Sequence, residues 1–258
     1  MGGRGAQSGM NSSPAVAQTP STPVAAVHAG TGRPSGPITY TNLTHADAAA
    51  IKNVEDAIYG ASVEAARKMY ISNTNFDGKG HSMSQSMNYL LNQGVDLTKP
   101  HRGYNASQMA SMDYTDKYMQ RGMHDLGYNA ILQRGAHVDD LAPFGITNLN
   151  NMSDSQLKAA MVGKTVTTTS YMSTSYDIKS NPFLSSSSGS GVSGGREVVF
   201  EIRAHSGTDC MLGSKKQTEV ILNKGLQYKV IDAYFTGQTA TPRNGSPMKQ
   251  VKVIIEIL

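Results

Sequence analysis

Residues 251–258, VKVIIEIL, place Val251, Val253, Ile255 and Ile257 on a single face. This is the period-two alternation of a strand with one side against a core. Gln227–Ala233 and Glu219–Leu222 read the same way, and Val198–Arg203 alternates with Val198, Phe200 and Ile202 together. Thr165–Tyr171 is rich in β-branched residues and Ala130–Gln133 reads as a short strand. Between them, Ser153 is positioned to cap a short helix over Asp154–Met161.

Upstream of Gly127 the period changes from two to near 3.6. Thr44 is the expected N-cap of a helix carrying Ala48, Ile51, Val54 and Ile58, stopped by Gly60, and Ser62 opens a second helix with Val63, Ala66 and Met69 on one side. Residues 74–81 form a turn-rich break. A third helix carries Met83, Met87, Leu90 and Leu91 and ends near Gly94. A fourth spans Ser107–Leu126 with Met109, Met112, Met119, Met123 and Leu126 in a stripe, read as core because methionine fills irregular gaps. Helices first and strands afterwards, with no βαβ alternation, imply an α+β fold. The expected divisions are a disordered Gly/Ser/Thr/Pro/Ala tail over 1–43 and one domain over 44–258, with its helices in 44–126 and its strands in 127–258.

Composition narrows the functional classes. The formal net charge is +4, and Arg4 and Arg33 in the tail supply two of those charges. The remainder is too nearly balanced to argue for nucleic-acid binding by charge. A single cysteine, Cys210, cannot form an intramolecular disulfide and reads as an ordinary thiol, and the seven histidines lack metal-ligand spacing, so no metal is expected. No apolar run reaches membrane-spanning length, and the N-terminus lacks a signal-peptide layout. A soluble monomer is expected, cytoplasmic or delivered by a phage.

Three short signals lie in the strand-rich half: Arg134-Gly135 at the end of ILQRG, Ser173-Thr174-Ser175 within TSYMSTSY, and Gln217-Thr218-Glu219 opening QTEVIL. Each alone describes an ordinary turn, edge or surface strand. In this order, and separated by about forty residues each time, they resemble the Arg … Ser-Thr-Ser … Gln-x-Glu signature of toxin-like mono-ADP-ribosyltransferases. The Gln variant is most similar to clostridial Rho-modifying exoenzymes and phage-encoded transferases. The resemblance covers about 126–258, and the helices from Thr44 are similar to that family's helical lobe. It implies a mostly antiparallel two-sheet β sandwich behind an N-terminal helical lobe. It also implies an enzyme that uses NAD+ as substrate, cleaves its nicotinamide–ribose bond and transfers ADP-ribose to a macromolecule.

The residue types suit that chemistry. A guanidinium holds phosphate oxygens through several directed donors, the role the family implies for Arg134 beside Gly135. A fixed carboxylate, Glu219, can stabilise positive charge developing on the ribose. Ser173 is expected to hold Glu219 by a hydroxyl hydrogen bond, with Thr174 and Ser175 fixing the strand, and all three line the NAD+ site by resemblance. Period two would put Gln217 on the face of Glu219, where its amide can address the acceptor. Gln rather than Glu there argues against arginine as acceptor and leaves a protein Asn or Gln side chain, or a nucleobase.

Two loops fall where relatives keep mobile elements. In Ser180–Gly195, Phe183 either stacks on the nicotinamide or faces solvent. Ala204–Lys216 is expected to read the target, and its Leu212-Gly213-Ser214-Lys215-Lys216 lacks the aromatic residue relatives often carry there, which separates this chain from the Rho-type pattern. Gly189–Gly194 matches GxGxxG but neither follows a strand nor opens a helix, so it is not a dinucleotide-binding fingerprint. MGGRGAQSGM resembles Gly-rich stretches of phage head-associated polyproteins. The competing reading is a non-enzymatic, virion-associated binding module that retains the fold.

Overall fold

The computed structural model describes residues 38–177, 196–214, 218–240 and 247–258. The helices are α1 (His45–Ile58), α2 (Ala61–Tyr70), α3 (Met83–Asn92), α4 (Ala106–Gly122) and α5 (Asp154–Met161). The strands are β1 (Thr41–Asn42), β2 (His124–Asp125), β3 (Ala130–Ala136), β4 (Thr165–Thr167), β5 (Met172–Ser175), β6 (Val198–Ala204), β7 (Asp209–Leu212), β8 (Glu219–Leu222), β9 (Gln227–Ala240) and β10 (Met248–Ile257).

Local chemistry sets the helix starts. Thr44, Ser82, Asn105 and Ser153 each accept the N3 backbone N–H of α1, α3, α4 and α5, and the N3 side chain returns the bond, a reciprocal cap that satisfies two otherwise orphaned donors. α1 departs from the expected stripe. Val54 and Ile58 are 51% and 56% exposed, and the inward positions are Ala48, Ile51 and Glu55. α4 stops at Gly122, four residues before the expected end, because the chain must extend so that His124 can pair with Cys210.

The strands follow the order β2-β7-β8-β5-β3-β6-β10-β9-β4, with β1 beside β3. The β10–β6 and β1–β3 pairs are parallel and the other pairs antiparallel. β5 and β3 are joined at the single pair Gln133↔Ser175, the narrowest junction in one ten-stranded hydrogen-bonded sheet among the described residues. Alternation then sorts the layers. Cys210, Val220 and Leu222 face the core shared with Val198, Phe200, Ile202, Val251 and Val253. Met211 and Ile221 face the other way, into a second core built by Tyr70, Met83, Met87, Met109, Met112 and Met119 of the helices. The methionine stripe is therefore core, as expected, with Leu126 lying beyond α4 in the first core.

Residues 41–43 do not belong to a tail: β1 pairs with β3 and Leu43 is 6% exposed, because this short segment completes the edge of β3. Residues 1–37 of the expected tail, including MGGRGAQSGM, lie outside the described residues. β3 continues through Ala136, which puts Arg134 inside a strand rather than at its end. The expected Ala204–Lys216 loop contains β7, whose four residues are too few for a visible alternation. Cys210 is buried, and burial raises its thiol well above the ordinary value, as suits an inert core thiol.

Candidate active site

β3, β5 and β8 bring the separated signals together. The Arg134 side chain leaves β3 about one-quarter exposed, and its Nη1 donates to the Ser173 carbonyl at 3.2 Å. Asp140 Oδ1 stands 3.9 Å from Nη2. Ser173, Thr174 and Ser175 of β5 pair with Ile221, Val220 and Glu219 of β8. Thr174 Oγ1 donates to the Val220 carbonyl at 2.7 Å, and Ser175 Oγ lies 2.7 Å from Thr218 Oγ1, so both hydroxyls fasten β5 to β8. Thr174 also borders the cavity described below, whereas the Ser175 hydroxyl is turned into the seam.

Glu219 begins β8. Its carboxylate Oε2 accepts the Ser214 N–H at 2.9 Å, in place of the hydroxyl bond expected from Ser173. The Ser173 hydroxyl instead lies against Tyr70, whose pKa burial pushes up to about 12. Thr218 precedes Glu219 at φ 49°, a left-handed conformation that is unfavourable for a β-branched residue. The Ser175 hydroxyl and the Tyr176 N–H, which donates to the Thr218 carbonyl at 3.1 Å, hold it there. The strand is thus not extended through Thr218, and the period-two reason for grouping Gln217 with Glu219 does not apply. Gln217, Phe183, Lys215, Lys216 and the GxGxxG stretch lie outside the described residues.

Arg134, Gly135, Ser173 and Glu219 line one cavity of about 460 Å³. Tyr70, Gln85, His137 and Arg196 share its wall. Sequence reasoning misses Arg196 because it stands just before the alternating run of β6. Strand register does not reveal it either: Arg134 pairs with Phe200 and Ala136 with Val198 in an antiparallel ladder, so Arg196 and Arg134 lie on opposite sides of the Val198–Ala136 pair, and the shared cavity wall is what brings them together. His137 links Arg196 to the buried Glu197. Its Nδ1 lies 3.1 Å from Glu197 Oε2, and Arg196 Nη1 contacts Nε2. Burial lowers the Arg196 pKa, Glu197 opposes that shift, and the Arg134 guanidinium adds to it. Two mutually repelling guanidiniums on one cavity make a receptor for a multiply charged anion.

Glu219 also borders a second cavity of about 420 Å³, on the α1 side. Its lining includes His45, Ala49, Lys52, Tyr176, Gly213 and Thr218. His45 and Tyr176 meet edge to face with ring centroids 5.6 Å apart. The carboxylate therefore borders a cationic chamber and a chamber lined by a helix and an aromatic pair. Among the described residues no cluster of His, Cys, Asp and Glu is arranged to hold a metal ion, and no helix is long and apolar enough to cross a membrane.

The sequence family described as ADP-ribosyltransferase exoenzyme matches residues 81–256. Among solved structures, the chain is similar to an ADP-ribosyltransferase from Clostridium botulinum, with 21% identity and a TM-score of 0.56 over 85% of this chain and 99% of that one. The C3 exoenzyme of Clostridium limosum gives 21% identity and a TM-score of 0.54 over 86% and 98%. A protein from S. aureus, solved with NAD, gives 16% identity and a TM-score of 0.54 over 86% and 99%. These likenesses establish a shared α+β fold. No curated protein sequence matches the chain.

Proposed function

The chain belongs to the ADP-ribosyltransferase exoenzyme family and performs NAD+-dependent ADP-ribosyl transfer, and we propose that its two cavities divide that reaction into a donor side and an acceptor side at Glu219. The observation that carries the reading is the convergence of Arg134, Ser173 and Glu219, from three distant sequence positions, on one cavity.

NAD+ occupies the cationic chamber. Arg134 and Arg196 hold the pyrophosphate, whose charge relieves their mutual repulsion. Gly135, Ser173 and Thr174 border the same chamber, and Glu219 faces the nicotinamide ribose. As the bond between the ribose anomeric carbon and the nicotinamide nitrogen breaks, its electron pair leaves with nicotinamide. The ribose becomes oxocarbenium-like, and the Glu219 carboxylate stabilises that charge. A nucleophile from the acceptor then bonds to the anomeric carbon and loses its proton. Ser175 acts indirectly, by holding Thr218 in the conformation that turns the chain into Glu219.

The acceptor approaches through the chamber bordered by α1, His45 and Tyr176. A protein acceptor presenting Asn or Gln fits this reading better than a nucleobase, since Asp56 and Glu219 stand in this lining beside Lys52 and Arg67, a mixed charge rather than a run of cations. Gln217, two residues before Glu219 in the chain, orients the nucleophile through one donor and one acceptor and disfavours arginine. The non-enzymatic alternative is not favoured, because a binding module has no need to keep a carboxylate and a guanidinium on one cavity.

The test is incubation of the protein with NAD+ labelled in the adenylate moiety and a cell lysate, followed by separate protease and nuclease digestion. Label released by protease alone supports a protein acceptor. Label released by nuclease would move the acceptor to nucleic acid, and the absence of both label transfer and nicotinamide release would overturn the reading.

A further inference from the structure

The segment that carries Glu219's hydrogen-bond donor is gripped from the helical lobe. Leu212 N–H donates to Glu55 Oε1 of α1 at 2.5 Å. Arg67 of α2, 8% exposed, donates through Nη1 to the Leu212 carbonyl at 3.1 Å and the Gly213 carbonyl at 3.3 Å. Its other guanidinium edge is fixed by Glu64, with Nε to Oε2 at 2.9 Å and Nη2 to Oε1 at 2.7 Å. Beyond this clamp, Gly213 N–H donates to the Glu219 carbonyl at 2.9 Å and Ser214 N–H to Glu219 Oε2 at 2.9 Å.

The position between clamp and carboxylate is a glycine for a steric reason. A Cβ at Gly213 would stand 2.5 Å from Glu219 Cδ and 2.7 Å from Cγ, and closer still to Oε2. These distances are far inside van der Waals contact. The three nearest atoms all belong to the Glu219 side chain, which can swing away, and Gly213 does not occupy a left-handed conformation that would demand glycine for its own sake. A methyl group here is therefore tolerated by the fold and not by the carboxylate's placement.

We infer that Gly213 is a positioning residue for the reaction, its bare Cα forming the seat against which the Glu219 carboxylate is fixed, and that Arg67 holds that seat in place from α2. This rests on the assignment of Glu219 as the group facing the ribose. It explains why this chain has Gly213-Ser214 before Gln217-Thr218-Glu219: a larger residue at 213 would push the carboxylate off the Ser214 amide. The reaction loses rate, because stabilisation of the oxocarbenium depends on a carboxylate already in place.

The test is a cycle of Gly213→Ala, Glu219→Gln and the double variant, read by NAD+ turnover, NAD+ affinity from calorimetry, and melting temperature. Gly213→Ala should lower kcat on the order of a hundredfold, with NAD+ affinity within about twofold and melting temperature within about 2 °C. In the Glu219→Gln background the same alanine should cost less than about twofold in kcat, because the charge it displaces is already gone. Arg67→Lys should retain more activity than Arg67→Met, since an ammonium can still reach one carbonyl. If Gly213→Ala turns over normally, or its loss multiplies fully with that of Glu219→Gln, the inference fails while the function stands. If Glu219→Gln itself turns over normally, the reading beneath it fails.

Discussion

The two ends of the donor cavity are built differently. At the cationic end Arg134 is about one-quarter exposed and is held by one bond to a carbonyl and a 3.9 Å approach to Asp140, beside a second guanidinium that repels it. At the carboxylate end Thr174, Ser175 and Thr218 are buried, and the hydroxyl bonds that join β5 to the chain around β8 are 2.7 Å long. Glu55 and Arg67 then clamp the neighbouring backbone from α1 and α2. The loosely held end suits a ligand that supplies its own charge. The rigid end suits a transition state whose charge appears only briefly, since preorganisation adds to rate only where the group need not move.

The largest expected effect is at the rigid end. Glu219→Gln keeps the size and loses the charge, so kcat for NAD+ hydrolysis and for transfer should both fall on the order of a hundredfold or more, measured by nicotinamide release and label incorporation. Arg134→Lys should show the opposite division. An ammonium cannot reproduce the planar donor set, so the apparent KM for NAD+ should rise about tenfold, with a much smaller change in kcat at saturating NAD+. Steady-state kinetics over a range of NAD+ concentrations separates the two.

Weaker effects sharpen the rigidity claim. Thr174→Val removes the donor to the Val220 carbonyl inside the seam without changing shape, and should cost about 1 kcal/mol of stability, seen as a melting temperature about 2–4 °C lower. The smallest effect concerns His124, whose ring nitrogens face Glu55 Oε1 at 3.3 Å and the Asp125 carbonyl at 2.8 Å, an arrangement for the imidazolium. Burial lowers its pKa, but the Glu55 and Asp125 hydrogen bonds and charges outweigh it, and the net shift is upward. A raised folded value makes the contribution full below the ordinary histidine value and lost as pH rises through the folded one. The melting-temperature advantage of the protein over His124→Gln should therefore shrink as pH rises above the ordinary histidine value of about 6.5.

The parts legible in the sequence are those encoded locally. Ser153 with Gln156, and Thr44 with Asp47, announce helix starts within four residues. The alternation of Val198, Phe200 and Ile202, or of Val251 through Ile257, announces a buried strand face. Arg134, Ser173 and Glu219 stand out through order and spacing. What stays hidden depends on distant partners. Glu55 is fully buried in α1, where the Tyr59 hydroxyl one turn on is joined by Leu212, 157 residues away, and His124 as its partners, and no helical periodicity predicts a carboxylate there. The left-handed Thr218 is imposed by contacts from Ser175 and Tyr176, and it undoes a period-two argument that the sequence QTEVIL invites. Arg196 joins Arg134 only through the cavity wall they share, which no local pattern announces.

Binding and chemistry are separated between the two ends of one cavity, and measuring NAD+ affinity and turnover on the same preparations of Arg134→Lys and Glu219→Gln tests that separation. Calorimetry gives the Kd and nicotinamide release gives kcat. The predicted result is a crossed pattern: weakened binding with largely retained turnover at saturation for Arg134→Lys, and near-native binding with turnover reduced on the order of a hundredfold for Glu219→Gln. Parallel losses of affinity and turnover in both variants, or native turnover in a folded, NAD+-binding Glu219→Gln protein, would contradict it.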